Sequence, residues 1–326
     1  MTMTVFDYVQ YWGLTRPPFA LAPCPDNLFF SKQHRECLLR LKFAIMASKG
    51  GALLISENAG DGKTTVLRRL CLDLTDEFDG RVRSAFVDHP TLTPLQMIQE
   101  MSRQLGVEKP YHSKMRALNQ FHDQLLELHE SGCKTVVIVD EGQMLAHRPD
   151  LLQELRILLN FCVSESFLLS FILSGQRPLE GVIRSMPEFW QRLPVRFFLG
   201  NLDFPDTRKL IQHRLRVAGL QDDGREIFTR AAYEQVYKAS QGCPRVICSI
   251  ADLALVVGRS LRVREIDAPE VLQAAADMEK KASDSFHYYH FLRSAADAER
   301  KEEASPTPVE PHPQGLSDER FNQIAG

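Results

Sequence analysis

The sequence lacks the features that would direct a chain into or across a membrane. Its 326 residues contain no apolar run approaching the roughly 20 consecutive residues that a membrane-spanning helix needs. The first 13 residues show no basic stretch followed by an apolar one, so no signal peptide is predicted. Seven cysteines occur at irregular spacings without a Cys-x-x-Cys pair, which argues against a disulfide framework or a zinc site. We therefore expect a soluble, cytoplasmic protein with reduced cysteines and no membrane span.

The sequence also lacks a strong excess of charge of either sign. Its formal net charge is −3, from 39 Lys and Arg against 42 Asp and Glu. The whole-chain balance therefore gives no sign of a nucleic-acid or membrane partner. The acidic excess comes from residues 279–326, while residues 1–278 are balanced. A chain with 44% hydrophobic and 25% charged residues has the composition of an ordinary globular protein.

Short apolar runs alternate with amphipathic stretches through the middle of the chain. Residues 52–56 (ALLIS) and 135–139 (TVVIV) are continuous apolar runs, typical of strands buried on both faces of a parallel sheet. Because helices are predicted between the strands, the fold class is α/β, with a parallel five-stranded sheet flanked by helices. The other three strands are predicted at residues 83–87, 167–173 and 195–199.

The two ends of the chain have different patterns. Residues 1–30 are rich in aromatic residues and proline, and the prolines argue against a helix there. After Pro205 the pattern is helical only, which predicts a small C-terminal lid domain. The predicted organisation is an N-terminal extended segment and first helix at 1–46, an α/β nucleotide-binding domain at 47–204, the helical lid at 205–282, and an acidic, proline-rich, largely disordered tail at 283–326.

A phosphate-binding motif follows the first predicted strand. Residues 57–64 read ENAGDGKT and match the P-loop pattern G-x-x-x-x-G-K-[ST], except that Glu57 replaces the first glycine. The loop amides and the following helix N-terminus suit phosphate, Lys63 would reach the β and γ phosphates, and Thr64 would ligate Mg²⁺. Because Glu57 brings a carboxylate to an anion site, we expect weaker nucleotide binding. The predicted nucleotide-binding residues are Ala59, Gly60, Asp61, Gly62, Lys63, Thr64 and Thr65.

An acidic pair ends the third predicted strand. Asp140 and Glu141 follow the apolar run at residues 135–139. In a parallel sheet they lie at the same carboxyl edge as the P-loop. The pair therefore indicates a nucleotide site much more strongly than it would without the P-loop. Asp140 is therefore predicted to hold Mg²⁺ with Thr64, and Glu141 to act as the general base on the attacking water.

Seven segments of the sequence resemble the ExeA-type ATPases, also called general secretion pathway A proteins. The similarity runs from about residue 6 to residue 279. It implies an AAA+ P-loop NTPase fold with ATP and Mg²⁺ as cofactors, in a wider group that includes TnsC-like transposition regulators. Members assemble into rings or filaments, so we expect a hexamer-like self-assembly, often on DNA. The segments are 12–19 (WGLTRPPF), 23–29 (PCPDNLF), 31–36 (SKQHRE), 139–145 (VDEGQML), 154–161 (ELRILLNF), 213–219 (HRLRVAG) and 242–245 (GCPR).

The resemblance assigns further roles at the nucleotide site. AAA+ proteins place a polar residue that senses the terminal phosphate at the end of the fourth strand, where Gln176 is the first choice and Ser174 the second. Arg245, at the start of a lid helix, would reach the same phosphate from the small domain. Arg192, or else Arg196, would serve a neighbouring subunit as an arginine finger. The predicted catalytic residues are thus Glu141, Lys63, Arg192, Gln176 and Arg245.

Three functions remain open at this stage. ExeA-type secretion proteins tend to continue into a membrane span and a peptidoglycan-binding region, where this sequence has an acidic tail. That difference favours an ATPase that oligomerises to regulate a partner complex as a soluble, TnsC-like, DNA-associated transposition regulator. The first alternative is an ExeA-like role in assembling a secretion system. The second, motivated by Glu57, is an ATP-gated scaffold with little hydrolysis.

Two regions are candidate partner surfaces. Arg103, Lys109, Lys114 and Arg116 either face the interior of a ring and bind double-stranded DNA or form a solvated helix surface. In the tail, residues 286–292 (FHYYHFL) either complete the last helix or dock a neighbour, and residues 316–324 resemble a tethered peptide for a protein partner.

Overall fold

The structure is a computed structural model that describes residues 7–22, 28–88, 90–221 and 225–279. Contacts within the chain separate residues 1–278 from the remainder, and the description concerns the first unit. The predictions for residues 286–292 and 316–324 lie outside the described residues, as does most of the segment 23–29.

A parallel five-stranded sheet forms the centre of the α/β part, in the order β2-β3-β6-β1-β7. The continuous apolar runs explain this arrangement, because every residue of the first strand is buried and so are the last five of the third. The predicted sheet is confirmed, and β6 lies between β1 and β3. The strands are β1 (Gly51–Ser56), β2 (Val82–Val87), β3 (Lys134–Val139), β4 (Cys162–Val163), β5 (Ser166–Phe167), β6 (Ser170–Gln176) and β7 (Val195–Leu199). The short β4 and β5 pair separately as an antiparallel hairpin.

Helices cover both faces of the sheet and build the C-terminal part. One apolar cluster joins α2 and α3 to one face, and another joins α4 to α8 to the other. Within the described residues, no helix is long and apolar enough to cross a membrane. The helices are α1 (Asp7–Tyr11), α2 (Lys32–Met46), α3 (Lys63–Glu77), α4 (Pro94–Gln104), α5 (Lys114–Glu130), α6 (Pro149–Leu158), α7 (Arg177–Arg184), α8 (Pro187–Arg192), α9 (Phe204–Val217), α10 (Arg230–Ser240), α11 (Pro244–Ser260) and α12 (Ala268–Glu279). A 3₁₀ helix, Gly142–His147, follows β3.

The N-terminal segment departs from the prediction, because it contains the short helix α1. All four prolines of residues 1–30 come after this helix, at positions 17, 18, 23 and 25, so they do not prevent the first turns from forming. Beyond α1, Trp12 and Phe19 are buried in an apolar cluster with α9 to α12. The start of the chain therefore packs on the C-terminal helices.

Trp12 anchors this segment. Its ring is fully buried, and Nε1 donates a hydrogen bond to the Leu255 carbonyl at 2.9 Å. Gly258 allows the ring to approach α11, since a Cβ at that position would lie 3.0 Å from Trp12 Cζ2. The segment is thus fixed to the helical part by both packing and a satisfied polar group.

We predict that Trp12→Ala lowers the free energy of unfolding by about 3–5 kcal/mol, because it leaves a large cavity and removes the hydrogen bond to the Leu255 carbonyl. Leu39→Ala is the matched control: Leu39 is 70% exposed, so its truncation should change stability by less than about 0.5 kcal/mol. Urea unfolding followed by circular dichroism gives both values. Equal effects of the two substitutions would contradict the anchoring role.

Candidate nucleotide site

One cavity at the carboxyl edge of the sheet brings together most of the predicted site residues. The P-loop supplies one wall, the ends of β3 and β6 a second, and the start of α11 a third. Its lining from these elements comprises Ala59, Gly60, Gly62, Lys63, Thr64, Thr65, Glu141, Gln176, Pro244 and Arg245.

The P-loop backbone opens the N-terminus of α3 to this cavity. Gly60 and Gly62 have φ angles of 102° and 93°, in the left-handed region that favours glycine. Lys63 begins the helix and is only 7% exposed, with Nζ donating to Ser56 Oγ at 2.6 Å. Burial lowers the pKa of Lys63, and the nearby carboxylates of Asp140 and other residues partly oppose this shift. A helix N-terminus with a buried cation suits a phosphate group.

Asp140 receives two hydrogen bonds from neighbouring elements. Thr64 Oγ1 donates to Oδ2 at 2.5 Å, and Ser174 Oγ donates to Oδ1 at 2.8 Å. Asp140 is 2% exposed, and the bond from Ser174 is buried while the bond from Thr64 is part-buried. The Thr64 hydroxyl and the Asp140 carboxylate thus meet at the start of α3, and hard oxygen donors of this kind are the ligands that Mg²⁺ prefers. These residues fit a magnesium–nucleotide complex.

The two candidate sensor residues at the end of β6 have different surroundings. Gln176 lines the cavity and is half-buried, which agrees with its place as first choice. Ser174 is fully buried and is occupied with Asp140. The role of Gln176 at a terminal phosphate stays a prediction.

Asp61 differs in orientation from the other predicted binding residues. Its side chain is fully buried, and Oδ2 accepts a hydrogen bond from the Asn58 amide at 2.8 Å. The carboxylate lies near Cys243, whose thiol pKa is raised mainly by burial and further by Asp61. The other oxygen, Oδ1, is buried without a hydrogen-bond partner among the described residues, so the side chain points into the loop and away from the cavity lining. The sequence alone does not show whether a polar P-loop side chain faces the cavity or the interior of the loop.

Arg245 packs directly over the P-loop. A Cβ at Gly60 would lie 2.6 Å from Arg245 Cβ and 3.0 Å from its Cδ, so the close approach depends on glycine. The guanidinium contributes to the electrostatics of Lys63, which places it near the site. The predicted lid arginine thus lies at the cavity, and its contact with a phosphate stays a prediction.

Glu57, which replaces the first P-loop glycine, forms an ion pair with Arg177 at the start of α7. Arg177 also lies over the Phe198 ring, 5.3 Å from its centroid. Both charged side chains are exposed, so the pair contributes little stability. It does place a cation beside the carboxylate, which reduces the expected repulsion between Glu57 and phosphate.

The two arginine-finger candidates lie away from this cavity. Arg192 Nη1 donates to the Leu159 carbonyl at 2.7 Å, and Arg196 Nη2 donates to the Trp190 carbonyl at 2.6 Å. Arg196 also stacks on the Trp190 ring at 3.6 Å from its centroid. Among the described residues that line the cavity, neither arginine occurs. This location is compatible with a role toward a neighbouring subunit, which stays a prediction.

His34 lines the cavity, and no role is predicted for it from the sequence. It is 4% exposed, and its Nδ1 lies 2.6 Å from Ser31 Oγ. Its Nε2 lies 3.4 Å from the position of a Cβ on Gly62. Burial lowers the pKa of His34 to about 4, so the ring is neutral at neutral pH. Its approach to the loop depends on how α2 packs, which no local pattern encodes.

The remaining wall of the cavity is mostly apolar, with Arg214 of α9 also lining it. This wall joins the N-terminal segment to α9, beside the phosphate-binding loop. An apolar surface next to an anion site matches the two ends of a nucleoside phosphate. The apolar lining comprises Ala20, Leu21, Ala22, Leu28, Phe29, Leu202 and Leu210.

Comparisons with known proteins agree with this geometry. The AAA domain family matches residues 46–183. General secretion pathway protein A of Aeromonas hydrophila is 32% identical over 252 residues, which cover 76% of this chain and 44% of that protein. The chain thus spans less than half the length of that relative.

Solved structures share the fold at low sequence identity. Aeropyrum pernix ORC2 in ADPNP–ADP complexes aligns with a TM-score of 0.60 and 17% identity over 80% of this chain and 71% of that one. Drosophila ORC bound to DNA aligns with a TM-score of 0.63 and 15% identity over 95% of this chain and 83% of that one.

The fold and the site define a P-loop protein of the AAA+ class. Within that class, the chain belongs to the ExeA-type, or general secretion pathway A, family of ATPases. The resemblance inferred from the sequence motifs is thereby confirmed.

We predict that Gly60→Ala weakens nucleotide binding about tenfold, because the new methyl group displaces Arg245 and the start of α11. Gly80→Ala is the matched control, since Gly80 also has a positive φ, 74°, but has open space around its Cβ position. Both variants carry backbone strain, and only in Gly60→Ala does the new methyl group meet Arg245. Calorimetric titration with a non-hydrolysable ATP analogue measures the difference. Equal affinities of the two variants would argue against the contact.

Proposed function

We propose that this protein binds and hydrolyses ATP with Mg²⁺ and uses its nucleotide state to switch a self-assembled oligomer. The observation that carries the proposal is the pair of hydrogen bonds that bring Thr64 and Ser174 onto Asp140, in a site shared with the buried Lys63. That arrangement combines an anion site with oxygen ligands for a divalent cation.

Each residue has a defined task in this proposal. The P-loop amides, the N-terminus of α3 and Lys63 bind the phosphates, while Thr64 and Asp140 hold Mg²⁺, which supplies charge neutralisation during phosphoryl transfer. Glu141 accepts the proton of the attacking water as the oxygen–phosphorus bond forms and the ADP oxygen leaves. Gln176 and Arg245 contact the terminal phosphate from the sheet and the lid.

Assembly completes the site in this proposal. Arg192 lies just before β7 and Arg196 is the second residue of that strand, both at the amino edge of the sheet, whereas the P-loop follows β1 at the carboxyl edge. A neighbouring subunit would therefore receive the arginine. Arg192 remains the first choice, because Arg196 is held by both a carbonyl and the Trp190 ring.

The sequence relationship favours the ExeA-like alternative over the TnsC-like hypothesis. The relative at 32% identity is a general secretion pathway protein, whereas the DNA-bound ORC structure supports the fold alone. The candidate DNA-binding surface, formed by Arg103, Lys109, Lys114 and Arg116, also carries less unpaired positive charge than the sequence indicates. Arg103 pairs with Glu100, and Lys114 pairs with Glu154 at 2.6 Å. We therefore propose a role in assembling a secretion complex, with the DNA role and the low-turnover scaffold as outcomes to be tested.

We predict that Glu141→Gln lowers kcat for ATP hydrolysis at least about 100-fold, because it removes the general base. ATP binding should persist, and assembled oligomer should accumulate. Glu108→Gln, an exposed acid in the loop after α4, is the control. Phosphate release, nucleotide titration and light scattering provide the three measurements. Normal hydrolysis by Glu141→Gln would refute the base assignment, and ATP binding without phosphate release by the wild type would favour the scaffold.

We also predict that the ATP analogue drives assembly without DNA, and that duplex DNA binds no more tightly with nucleotide than without it. Fluorescence anisotropy at about 50 and 200 mM salt tests this, since phosphate contacts give a steep salt dependence. ATP-dependent binding that is lost in both Lys109→Ala and Arg116→Ala would restore the DNA role.

A further inference from the structure

We infer that Gln143 is a positioning residue for Glu141, fixing the carboxylate at the edge of the nucleotide cavity and tying it to the end of β6. The inference rests on the proposed function, in which Glu141 is the general base. No role for Gln143 follows from the P-loop or from the acidic pair themselves.

Two hydrogen bonds engage both ends of the Gln143 side-chain amide. Nε2 donates to Glu141 Oε2 at 2.5 Å, and Oε1 accepts from the Gln176 backbone N–H at 3.3 Å. Glu141 and Gln176 both line the cavity. A single side chain thus connects the predicted base with the strand end that carries the predicted phosphate sensor.

Close backbone packing fixes the position of Gln143. A Cβ at Gly175 would lie 2.8 Å from Gln143 N and 3.1 Å from its Oε1, and a Cβ at Gly142 would lie 2.9 Å from the Ser174 carbonyl oxygen. Glycine at these two positions lets the 3₁₀ helix after β3 rest directly on the end of β6. Gln143 is half-buried in this contact, so its amide has little freedom to turn away.

Glu141 needs such a restraint for two reasons. Its side chain is exposed, and a free glutamate would populate several rotamers with different carboxylate positions. Its backbone has a φ of 51°, a left-handed conformation that is uncommon for a residue with a side chain. The bond from Gln143 selects one position. The other oxygen, Oε1, accepts no hydrogen bond from the described residues and is available for a water proton.

The expected kinetic effect is specific. A base that is correctly placed only part of the time lowers the rate of the chemical step, whereas ATP is held by the P-loop and α3. We therefore expect loss of Gln143 to lower kcat about tenfold and to leave KM for ATP within about twofold.

Two substitutions separate the two hydrogen bonds. Gln143→Met keeps the length of the side chain and removes both bonds. Gln143→Glu keeps an acceptor for the Gln176 N–H, but it loses the donor and places a like charge beside Glu141. Both variants should lose activity, Gln143→Glu at least as much as Gln143→Met. Met144→Ala is the control, because the neighbouring Met144 side chain is exposed and should leave kcat unchanged.

A double substitution tests whether Gln143 acts through Glu141. If it does, adding Gln143→Met to Glu141→Gln causes no further loss of residual hydrolysis. A kcat close to wild type in Gln143→Glu, a raised KM alone, or fully additive losses in the double variant would each overturn the inference. Thermal melting checks that every variant is folded, and Gln143→Glu supplies the test should Gln143→Met not fold. Normal hydrolysis by Glu141→Gln alone would instead overturn the proposed function, and this inference with it.

Discussion

The Asp140 carboxylate is the interaction on which the nucleotide site depends. Its two oxygens accept hydrogen bonds from Thr64 on α3 and Ser174 on β6, so one buried group joins three elements that are far apart in sequence. Because an unpaired buried carboxylate is costly, these bonds favour a single alignment of P-loop, β3 and β6. The order of the sheet makes this possible, since β6 lies between β1 and β3. The same alignment brings Glu141 and Gln176 to one cavity.

Glycines set the distances at which neighbouring parts of this site meet. Gly60 allows the Arg245 side chain to lie against the loop, and Gly142 and Gly175 allow the turn after β3 to rest on β6. Side chains that carry charge then adjust the local electrostatics, as Arg177 does beside Glu57. The positive charge of Arg177 thus partly offsets the negative charge that Glu57 brings to the P-loop. Glu57 alone is therefore a weaker reason to expect low ATP turnover.

Patterns with local causes could be predicted from the sequence, and contacts between distant segments could not. The alternation of apolar runs with amphipathic stretches predicted the five strands, and the Gly-Lys-Thr and Asp-Glu groups followed from the chemistry of phosphate and magnesium. The helix α1 is not expected when the prolines are taken to exclude a helix from all of residues 1–30. They occur only after residue 16, so they exclude a helix only in the second half of that segment. The helices α7 and α8 are only 8 and 6 residues long, with a proline in the first turn of each, so they are too short for a helical repeat of apolar residues to be recognised in the sequence. The inward turn of Asp61 and the approach of His34 depend on tertiary packing, which a single sequence does not display.

The anchoring of Trp12 determines how the helical part can move relative to the sheet. The chain passes between these two parts twice: once from the Trp12 segment into α2, and once from β7 into α9. Two covalent connections restrict the relative positions of the two parts more than a single linker would. Leu21 and Leu28, which flank residues 23–27 of the first connection, line the apolar wall of the cavity. A displacement of the anchored segment would therefore also change the apolar side of the candidate nucleotide site.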